Sequence, residues 1–456
     1  MASTLQIEQA ARASERYAQC VNREWVRLLD LLQMNVRYER CEGVELFTED
    51  GKRILDFLSG YCVHNVGHNH PDVVRALQSE LERCGPAMIQ THIADLAGEL
   101  AEKLCQRSSG RLRKAFFCSS GSEGVEAAIK FARSHTGRAG ILSAEHAFHG
   151  LTCGALSLMS DKFWSEGFGP LLPGTAAIPF GDLEALEREL KTKRFAAFIA
   201  EPIQSEAGIC IPHRDYLRIA ESLCRRHGAL FVLDEVQTGM YRTGPFLAAH
   251  HFEVEPDMVV MAKAMSGGLV PCGAVLMSEA VCNSVYSSLP RAFVHTSTFS
   301  ENSLAMRAAL ATLEVLENGE LGRRSIDAGK YLKSRLSEAL GEYEMVKEVR
   351  GVGLLMGIEF QAPSQLRLRI PYQAFAAVHP AMFGQIVVMR LFRDSRFLTQ
   401  ICGNNFMVLK VAPPLVVTDA QLDAFVQAAR DVVELAHSSG AFWSEALGLA
   451  RRAFHR

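Results

Sequence analysis

Short apolar segments alternate with longer segments of helical periodicity from about residue 115 onward. The apolar segments predict strands at residues 115–118, 140–143, 196–201, 229–234, 258–261 and 272–278. Apolar residues at helical spacing predict helices at residues 123–134, 215–227, 304–316, 327–340 and 418–436. This alternation is typical of βαβ units, so we predict an α/β fold in which helices flank a mostly parallel central sheet.

The two ends of the chain show other patterns. Leu5, Trp25 and Leu28 lie among charged residues before about residue 33, which indicates an amphipathic helical arm. Such an arm packs on the body or on a partner subunit, and contact with a membrane surface is the alternative. Near residue 320 the alternation gives way to a long helix and a strand-like segment at 353–360. We predict a large domain at residues 66–320 and a smaller α+β domain that combines residues 1–65 with residues 321–456.

Composition and charge narrow the possible functions. The chain has 456 residues, a net charge of −3 and 22% charged residues, without a basic run that would indicate nucleic acid binding. Small-molecule substrates are therefore expected. Twelve cysteines are scattered without a C-x-x-C pair or zinc-ligand spacing, so we expect no metal site and reduced thiols in a cytoplasmic protein. Charged residues near the N-terminus also argue against a secretion signal.

A single charged residue, Lys263, lies in the apolar segment 258–278. The segment has the length of a membrane span, but Gly267, Gly268 and Pro271 disfavour a continuous helix, so no integral membrane segment is predicted. A lysine in apolar surroundings has a lowered pKa and a nucleophilic amine, which is what a Schiff base with an aldehyde requires. The alternative is a lysine whose stem is buried and whose ammonium group reaches solvent.

An acidic residue, Asp234, ends the next apolar segment toward the N-terminus. A pyridine cofactor needs an anion against its ring nitrogen, and Asp234 is suited to that position, with Gln237 able to reach the ring hydroxyl. An aspartate that caps the following element is the alternative. Asp234 and Lys263 lie one βα unit apart, so both could face the crevice where open α/β sheets bind ligands.

Two further segments suit a phosphorylated, flat cofactor. Ser120, Gly121 and Ser122 join a predicted strand to a helix, where backbone N–H groups and the helix dipole favour a phosphate. A serine N-cap explains the same residues equally well. Phe148 and His149 follow another strand, and the ring of Phe148 could stack on a heterocycle, whereas a core phenylalanine is the alternative.

Together these segments resemble the class III aminotransferases of fold type I, the family that contains ornithine and 4-aminobutyrate aminotransferases. The stretches that carry the resemblance, in the family's order, are SSGSEGVEAAIKFAR, AEPIQSEAG, LDEVQTGMYRTG, AKAMSGGLVPCGA and VLKVAPPLVVT. The resemblance implies pyridoxal 5′-phosphate (PLP) as the cofactor, a large PLP-binding domain and a smaller domain built from both chain ends.

The resemblance also implies roles for individual residues. Lys263 would form the Schiff base and Asp234 would pair with the pyridine nitrogen. The remaining cofactor-binding positions would be Ser120, Gly121, Ser122, Phe148, His149, Glu201, Gln237 and Thr298, and the substrate positions would be Tyr61, Glu206 and Lys410.

Two of these positions bear on assembly and substrate choice. Thr298 resembles the threonine that reaches the phosphate of the neighbouring subunit's cofactor, which implies a homodimer with shared active sites. Lys410 stands where the family usually has an arginine that grips a substrate carboxylate. Because a lysine lacks the planar fork of arginine, the grip would be looser or absent.

The predicted function is that of an ω-aminotransferase. It would move an amino group from a primary amine or ω-amino acid to an oxo acid such as 2-oxoglutarate, or in the reverse direction onto an aldehyde. A racemase, aminomutase or decarboxylase on the same cofactor site is the closest alternative. A nucleotide-binding α/β protein without PLP is an alternative from another class, although the sequence lacks a G-x-G-x-x-G turn.

Overall fold

A computed structural model describes residues 4–89, 91–108, 110–376, 382–438 and 440–454. The chain divides into two compact units. The large unit is Gly60–Ile326, and the small unit combines Met1–Ser59 with Asp327–Arg456. The sequence-based prediction placed these boundaries after residues 65 and 320.

The helices and strands follow one another in chain order. The helices are α1 (Thr4–Cys20), α2 (Arg23–Leu31), α3 (Ser59–Cys62), α4 (Pro71–Glu82), α5 (Asp95–Arg107), α6 (Gly121–Thr136), α7 (Cys153–Leu156), α8 (Lys162–Ser165), α9 (Leu183–Lys191), α10 (Tyr216–His227), α11 (Glu279–Val285), α12 (Ser303–Asn318), α13 (Leu321–Leu340), α14 (Leu366–Ala376), α15 (Met382–Ser395), α16 (Asp419–Ser438) and α17 (Gly440–Phe454). The strands are β1 (Tyr38–Glu42), β2 (Glu45–Thr48), β3 (Arg53–Asp56), β4 (Leu112–Cys118), β5 (Gly140–Ala144), β6 (Thr175–Ile178), β7 (Phe195–Ala200), β8 (Leu230–Asp234), β9 (Met258–Met261), β10 (Gly273–Ser278), β11 (Val346–Val352), β12 (Leu355–Phe360), β13 (Phe397–Leu398), β14 (Gln400–Cys402) and β15 (Asn405–Val411). Short 3₁₀ helices cover Ala248–His251, Lys263–Ser266 and Leu289–Arg291.

The large unit is built around a sheet with the strand order β4-β10-β9-β8-β7-β5-β6. The neighbours among β5 to β9 pair in parallel, whereas β10 runs antiparallel to both β4 and β9. The strand at 272–278 was predicted within a series of parallel units. It runs the other way because only a 3₁₀ turn joins β9 to β10, and a parallel connection requires a longer crossover.

The central strands are apolar along their whole length. β7 and β9 are buried at every residue, and β8 is apolar and buried up to its final Asp234. Continuous apolar strands are typical of parallel sheets covered on both faces. On one face, Val125 and Phe131 of α6 pack with Val232 and Val260 in one apolar core. The carboxyl ends of the parallel strands therefore meet at one edge of the sheet, and the polar residues that follow them lie at that edge.

The small unit contains two sheets, with the orders β1-β2-β3-β13 and β11-β12-β15-β14. The predicted strand-like segment at 353–360 contains β12, which pairs antiparallel with β11. The predicted N-terminal arm consists of two helices. The side chain of Asn22 accepts a hydrogen bond from Trp25 N at 3.1 Å, which starts α2 as a separate helix. Among the described residues, no helix has the length and apolar character needed to cross a membrane.

Candidate active site

The turn between β4 and α6 contains the predicted phosphate-binding residues. Ser120 is the N-cap of α6, and its hydroxyl accepts a hydrogen bond from Glu123 N at 3.2 Å. The carboxylate of Glu123 in turn accepts a hydrogen bond from Ser119 N at 2.6 Å. A Cβ at Gly121 would lie 2.9 Å from Val236, so glycine lets this turn approach the loop after β8. The start of a helix directs backbone N–H groups and positive dipole outward, which suits an anion.

Gly150 brings a second loop against the same turn. Its φ is +121°, and a Cβ there would lie 2.1 Å from the hydroxyl oxygen of Ser122. The next residue, Leu151, donates its backbone N–H to that hydroxyl at 3.3 Å. The loop after β5 therefore packs directly on the α6 turn, which is possible only without a side chain at position 150.

Two buried residues, His149 in the loop after β5 and Asp234 at the end of β8, form a hydrogen-bonded pair. Nδ1 of His149 lies 2.8 Å from Oδ2 of Asp234. The other oxygen of Asp234 accepts a hydrogen bond from Val236 N at 3.1 Å. Burial by itself would lower the pKa of His149, but the hydrogen bond to the Asp234 carboxylate and the charges of Asp234 and Glu201 raise it overall. The buried carboxylate of Asp234 thus favours the charged form of His149.

Glu201 follows β7 and fixes two loops at this edge of the sheet. It accepts backbone hydrogen bonds from Phe148 and Ser205, each at 3.0 Å. The side chain is buried, and desolvation raises the pKa of Glu201 to about 7, although the neighbouring His149 opposes the rise. Glu201 therefore sets the backbone position of Phe148 beside the His149–Asp234 pair.

Lys263 begins the 3₁₀ helix after β9 and has a φ of +48°. A left-handed backbone is uncommon for a residue with a side chain, and such conformations concentrate at functional sites. Strands β8 and β9 are neighbours in which Asp234 pairs with Val260. The register of the sheet thus places the lysine and the aspartate on adjacent strand ends, as the sequence predicts.

Two residues of the loop after β8, Glu235 and Gln237, form buried hydrogen bonds. Gln237 donates a hydrogen bond to Glu206 at 2.9 Å, and both side chains are buried. The neighbouring Glu235 accepts backbone hydrogen bonds from Ala248 at 3.0 Å and Ala249 at 2.7 Å, and it also contacts the hydroxyl of Thr238. Glu235 is therefore an anchor for the 248–251 turn, and desolvation raises its pKa to about 7.

One cavity of about 420 Å³ joins most of the predicted cofactor residues. The predicted residues that line it are Ser120, Gly121, Ser122, Phe148, His149, Glu201, Asp234, Gln237 and Lys263. The wall also contains apolar residues that we did not predict, among them Val63, Val236, Leu269, Val270 and Pro271. Val236 could have been found because it precedes Gln237 in the sequence. The 269–271 segment could have been found because it closes the glycine-containing loop that begins at Lys263.

The other predicted residues are not among those that line this cavity. Thr298 lines a separate depression together with Arg83, His92 and Glu301. Tyr61 is 38% exposed and lies in a left-handed turn with a φ of +61°, and Glu206 reaches the cavity through Gln237. Lys410 belongs to the small unit, where it is fully buried on β15.

The residues of the cavity fit PLP. A phosphate suits the α6 turn, and the Asp234 carboxylate, held by His149 and Val236 N, is an acceptor for a protonated pyridine nitrogen. Lys263 lines the cavity with an amine that could react with the aldehyde, and Nε2 of His149 is buried without a hydrogen-bond partner among the described residues. Among the described residues, no group of three or more His, Cys, Asp or Glu side chains is arranged to hold a metal ion.

The fold and the site define a class of protein. The mostly parallel central sheet with flanking helices is the fold type I architecture shared with ornithine and acetylornithine aminotransferase structures. The family described as aminotransferase class-III matches residues 30–433, and the chain belongs to this family.

Individual relatives agree with this assignment. The chain is 34% identical over 445 residues to the aminotransferase PigE of Serratia sp. (strain ATCC 39006), with 91% of this chain and 52% of PigE covered. It therefore spans about half the length of that relative. It is 37% identical over 398 residues to putrescine aminotransferase of Pectobacterium atrosepticum, with 85% of this chain and 80% of the relative covered. The structure of ornithine aminotransferase from Toxoplasma gondii, which has PLP at its active site in partial occupancy, matches with a TM-score of 0.79 at 29% identity and covers 88% of this chain and 91% of that one.

These findings confirm the predicted family, the fold of type I and PLP as the cofactor of the family. Amino-group transfer is the chemistry for which the family and these relatives are named.

Proposed function

We propose that the protein is an ω-aminotransferase, which moves an amino group from a primary amine or ω-amino acid to an oxo acid such as 2-oxoglutarate. The reverse transfer onto an aldehyde uses the same site. The observation that carries the proposal is the shared cavity of Lys263 and Asp234, which come from adjacent strand ends beside a turn suited to phosphate. The names of the putrescine and ornithine aminotransferases support a donor with a terminal amine.

We assign the reacting roles to Lys263 and Asp234. When bound, PLP supplies the electron sink that makes transfer of an amino group and a proton possible. Nζ of Lys263 would hold the cofactor and, once freed, would move the proton at the reacting carbon. Asp234 would keep the pyridine nitrogen protonated, and His149 would orient the Asp234 carboxylate through their 2.8 Å contact.

The surrounding residues would hold the cofactor in place. Ser120, Gly121 and Ser122 would bind the phosphate at the start of α6. Phe148 would stack on the pyridine ring, with its backbone fixed by Glu201. Gln237 would reach the ring hydroxyl while it keeps Glu206 in position.

The substrate side of the site favours a donor with an apolar carbon chain. Val63, Leu269 and Val270 form an apolar part of the cavity wall. The acidic and basic residues that line the cavity are all assigned to the cofactor, namely His149, Glu201, Asp234 and Lys263. Tyr61, Glu206 and Lys410 are proposed as substrate residues. A lysine in place of the family's usual arginine would bind an oxo-acid carboxylate with a single point charge, and therefore more weakly than a bidentate guanidinium.

We also propose a cytoplasmic homodimer. Large apolar side chains are exposed on two segments of the large unit, and hydrogen bonding of Ser303 N to Ala87 O at 3.0 Å keeps these segments together. Their exposed apolar residues are Met88, Ile89, Ile93, Leu289, Phe293, Val294 and Phe299. Such a patch favours association with another protein surface. Thr298 lies within this region and would contribute to the partner's phosphate site.

The twelve cysteines are all described and form no disulfide, which fits a reducing compartment such as the cytoplasm.

A panel of donors tests the reaction. Terminal diamines, ω-amino acids and simple primary amines would each be incubated with 2-oxoglutarate or pyruvate, and formation of glutamate or alanine would be measured. We expect amino transfer from at least one donor class. Racemised, rearranged or decarboxylated products formed without any need for an oxo acid would contradict the proposal and favour the sister activities.

Light scattering on purified protein tests the assembly. We expect a dimer, and we expect Leu289→Asp to shift the mass toward a monomer because it buries a charge in the apolar patch. Thr298→Ala should keep the dimer but lose PLP faster on dilution. A fully active monomer would contradict both the dimer and the shared site.

A further inference from the structure

A row of aromatic rings extends from the cavity to the protein surface. Phe148, which lines the cavity, packs edge-to-face against Trp164 with ring centroids 5.2 Å apart and planes at 77°. Phe163 packs in the same manner on Trp164 at 4.8 Å and 84°, and it is 69% exposed. Trp164 thus stands between a cavity-lining ring and a solvent-exposed one.

Polar contacts fix the segment that carries Trp164 to the end of β5. The hydroxyl of Ser160 accepts a hydrogen bond from His146 N at 2.9 Å. Nδ1 of His146 lies 3.2 Å from both carboxylate oxygens of Asp161. Asp161 precedes α8, and its carbonyl accepts a hydrogen bond from Trp164 N at 3.2 Å. Trp164 is therefore held relative to the loop that leads into Phe148.

The backbone contact of Phe148 does not by itself determine where its ring points. Glu201 accepts a hydrogen bond from the amide of Phe148, a contact that does not itself fix the side-chain torsions. The terminal torsion of a phenylalanine has a broad energy minimum, so neighbouring side chains decide its value. An edge-to-face partner favours one orientation because the positive edge of one ring meets the negative face of the other.

We propose that Trp164 is a positioning residue for the cofactor ring. It holds the Phe148 ring in the orientation that stacks on PLP, and it does so through the aromatic contact rather than by filling space. The inference rests on the proposed PLP site. It adds a residue that is not among those lining the cavity and that acts through its contact with Phe148.

Three variants separate the aromatic contact from general packing. Trp164→Phe keeps a ring, Trp164→Leu keeps apolar bulk without a ring, and Phe168→Ala removes a 67% exposed ring from the same segment as a control. Each holoenzyme would be compared in its cofactor-induced circular dichroism in the visible range and in its rate of PLP release to a trapping apoenzyme. The dichroism reports the asymmetric surroundings of the bound ring and does not depend on turnover.

We expect Trp164→Leu to lose most of the induced dichroism and to release PLP about threefold to tenfold faster, which is the scale of one aromatic pair. The PLP release rate of Trp164→Phe should stay within about twofold of the wild-type rate, and that of Phe168→Ala should equal the wild-type rate. A Trp164→Leu variant with wild-type dichroism and release rate would overturn the inference.

A second measurement applies if the leucine variant does not fold. PLP added to the apoprotein should quench tryptophan fluorescence in wild type and quench it much less in Trp164→Phe. Equal quenching in both proteins would show that Trp164 does not lie beside the cofactor, and it would overturn the inference as well. A wild-type protein that forms no visible PLP band would instead contradict the proposed function.

Discussion

Nδ1 of His149 lies 2.8 Å from Oδ2 of Asp234, and both side chains are buried. His149 follows β5 and Asp234 is the last residue of β8, and these two strands are separated in the sheet by β7. The loop after β5 therefore crosses the end of β7 to make this contact. With Val236 N bound to its other oxygen, the Asp234 carboxylate is oriented before any ligand binds. An oriented, buried anion stabilises a developing cation more than a solvated one does.

Asp234→Asn should keep the protein folded but slow turnover at least about 10³-fold, because a neutral amide does not stabilise a pyridinium. Turnover with the best donor would be measured beside Asp182→Asn. That control makes the same change at the N-cap of α9, where asparagine serves as well as aspartate. A loss smaller than about tenfold at Asp234 would assign the role to another residue.

Lys263→Ala should abolish the visible PLP band and lower turnover by several orders of magnitude, since covalent anchoring and proton transfer are lost together. The absorption spectrum and mass spectrometry after borohydride reduction would check this. Lys191→Ala, which removes a largely exposed lysine of α9, is the control and should behave as wild type. A reducible adduct that persists in Lys263→Ala would disprove the assignment.

Gly150→Ala should weaken PLP binding by at least about tenfold, because the new methyl group would displace Ser122 and the α6 turn. Gly167→Ala is a matched control. Gly167 also has a positive φ, of +84°, but the described residues leave open space around a Cβ there. Both variants should lose some thermal stability, whereas only Gly150→Ala should raise the dissociation constant for PLP. Equal dissociation constants for PLP in Gly150→Ala and Gly167→Ala would show that the turn containing Ser122 does not bind the phosphate.

Glu235→Gln should change how the stability of the apoprotein depends on pH. Burial raises the pKa of Glu235 to about 7 in the folded state, above its ordinary value of 4.5. Between these values the folded chain holds a proton that the unfolded chain releases. The contribution of Glu235 to the free energy of unfolding therefore falls by up to about 1.4 kcal/mol per pH unit as the pH rises from 4.5 to about 7. Above pH 7 this contribution is at its lowest.

Melting temperatures of wild type and Glu235→Gln from pH 4.5 to 8 would check this prediction. The variant should be less stable than wild type at low pH, and the difference should shrink as the pH approaches 7. A constant difference over the whole range would mean that Glu235 does not titrate there.

Lys410 offers a test of the acceptor. If it binds a carboxylate, Lys410→Met should raise the KM for 2-oxoglutarate with a smaller effect on kcat for a carboxylate-free amine. Methionine retains the apolar volume of this buried side chain but not its ammonium group, so the melting temperature of the variant would be measured beside its kinetics. Lys410→Arg should keep or lower the KM. Equal KM values in wild type and Lys410→Met would remove Lys410 from the acceptor site.

Much of the site could be predicted from local sequence. Glu201, Asp234 and Lys263 stand at or within two residues of the ends of β7, β8 and β9, and parallel strands place their carboxyl ends at one edge of the sheet. The turn before α6 was evident because capping residues and glycine act within a few positions of one another. These features depend on residues that are neighbours along the chain, and such residues leave a pattern in the sequence.

Other features were decided only by the tertiary structure. The contact of His149 with Asp234 depends on a loop that crosses a third strand, and the packing of Trp164 on Phe148 depends on how the 158–164 segment folds back on β5. The reversal of β10 followed from the short turn after Lys263. The sequence alone determined which residues stand at the strand ends, whereas the tertiary structure decided which of them meet. The physical reason is that contacts between distant residues depend on loop conformation and close packing, neither of which has a local period.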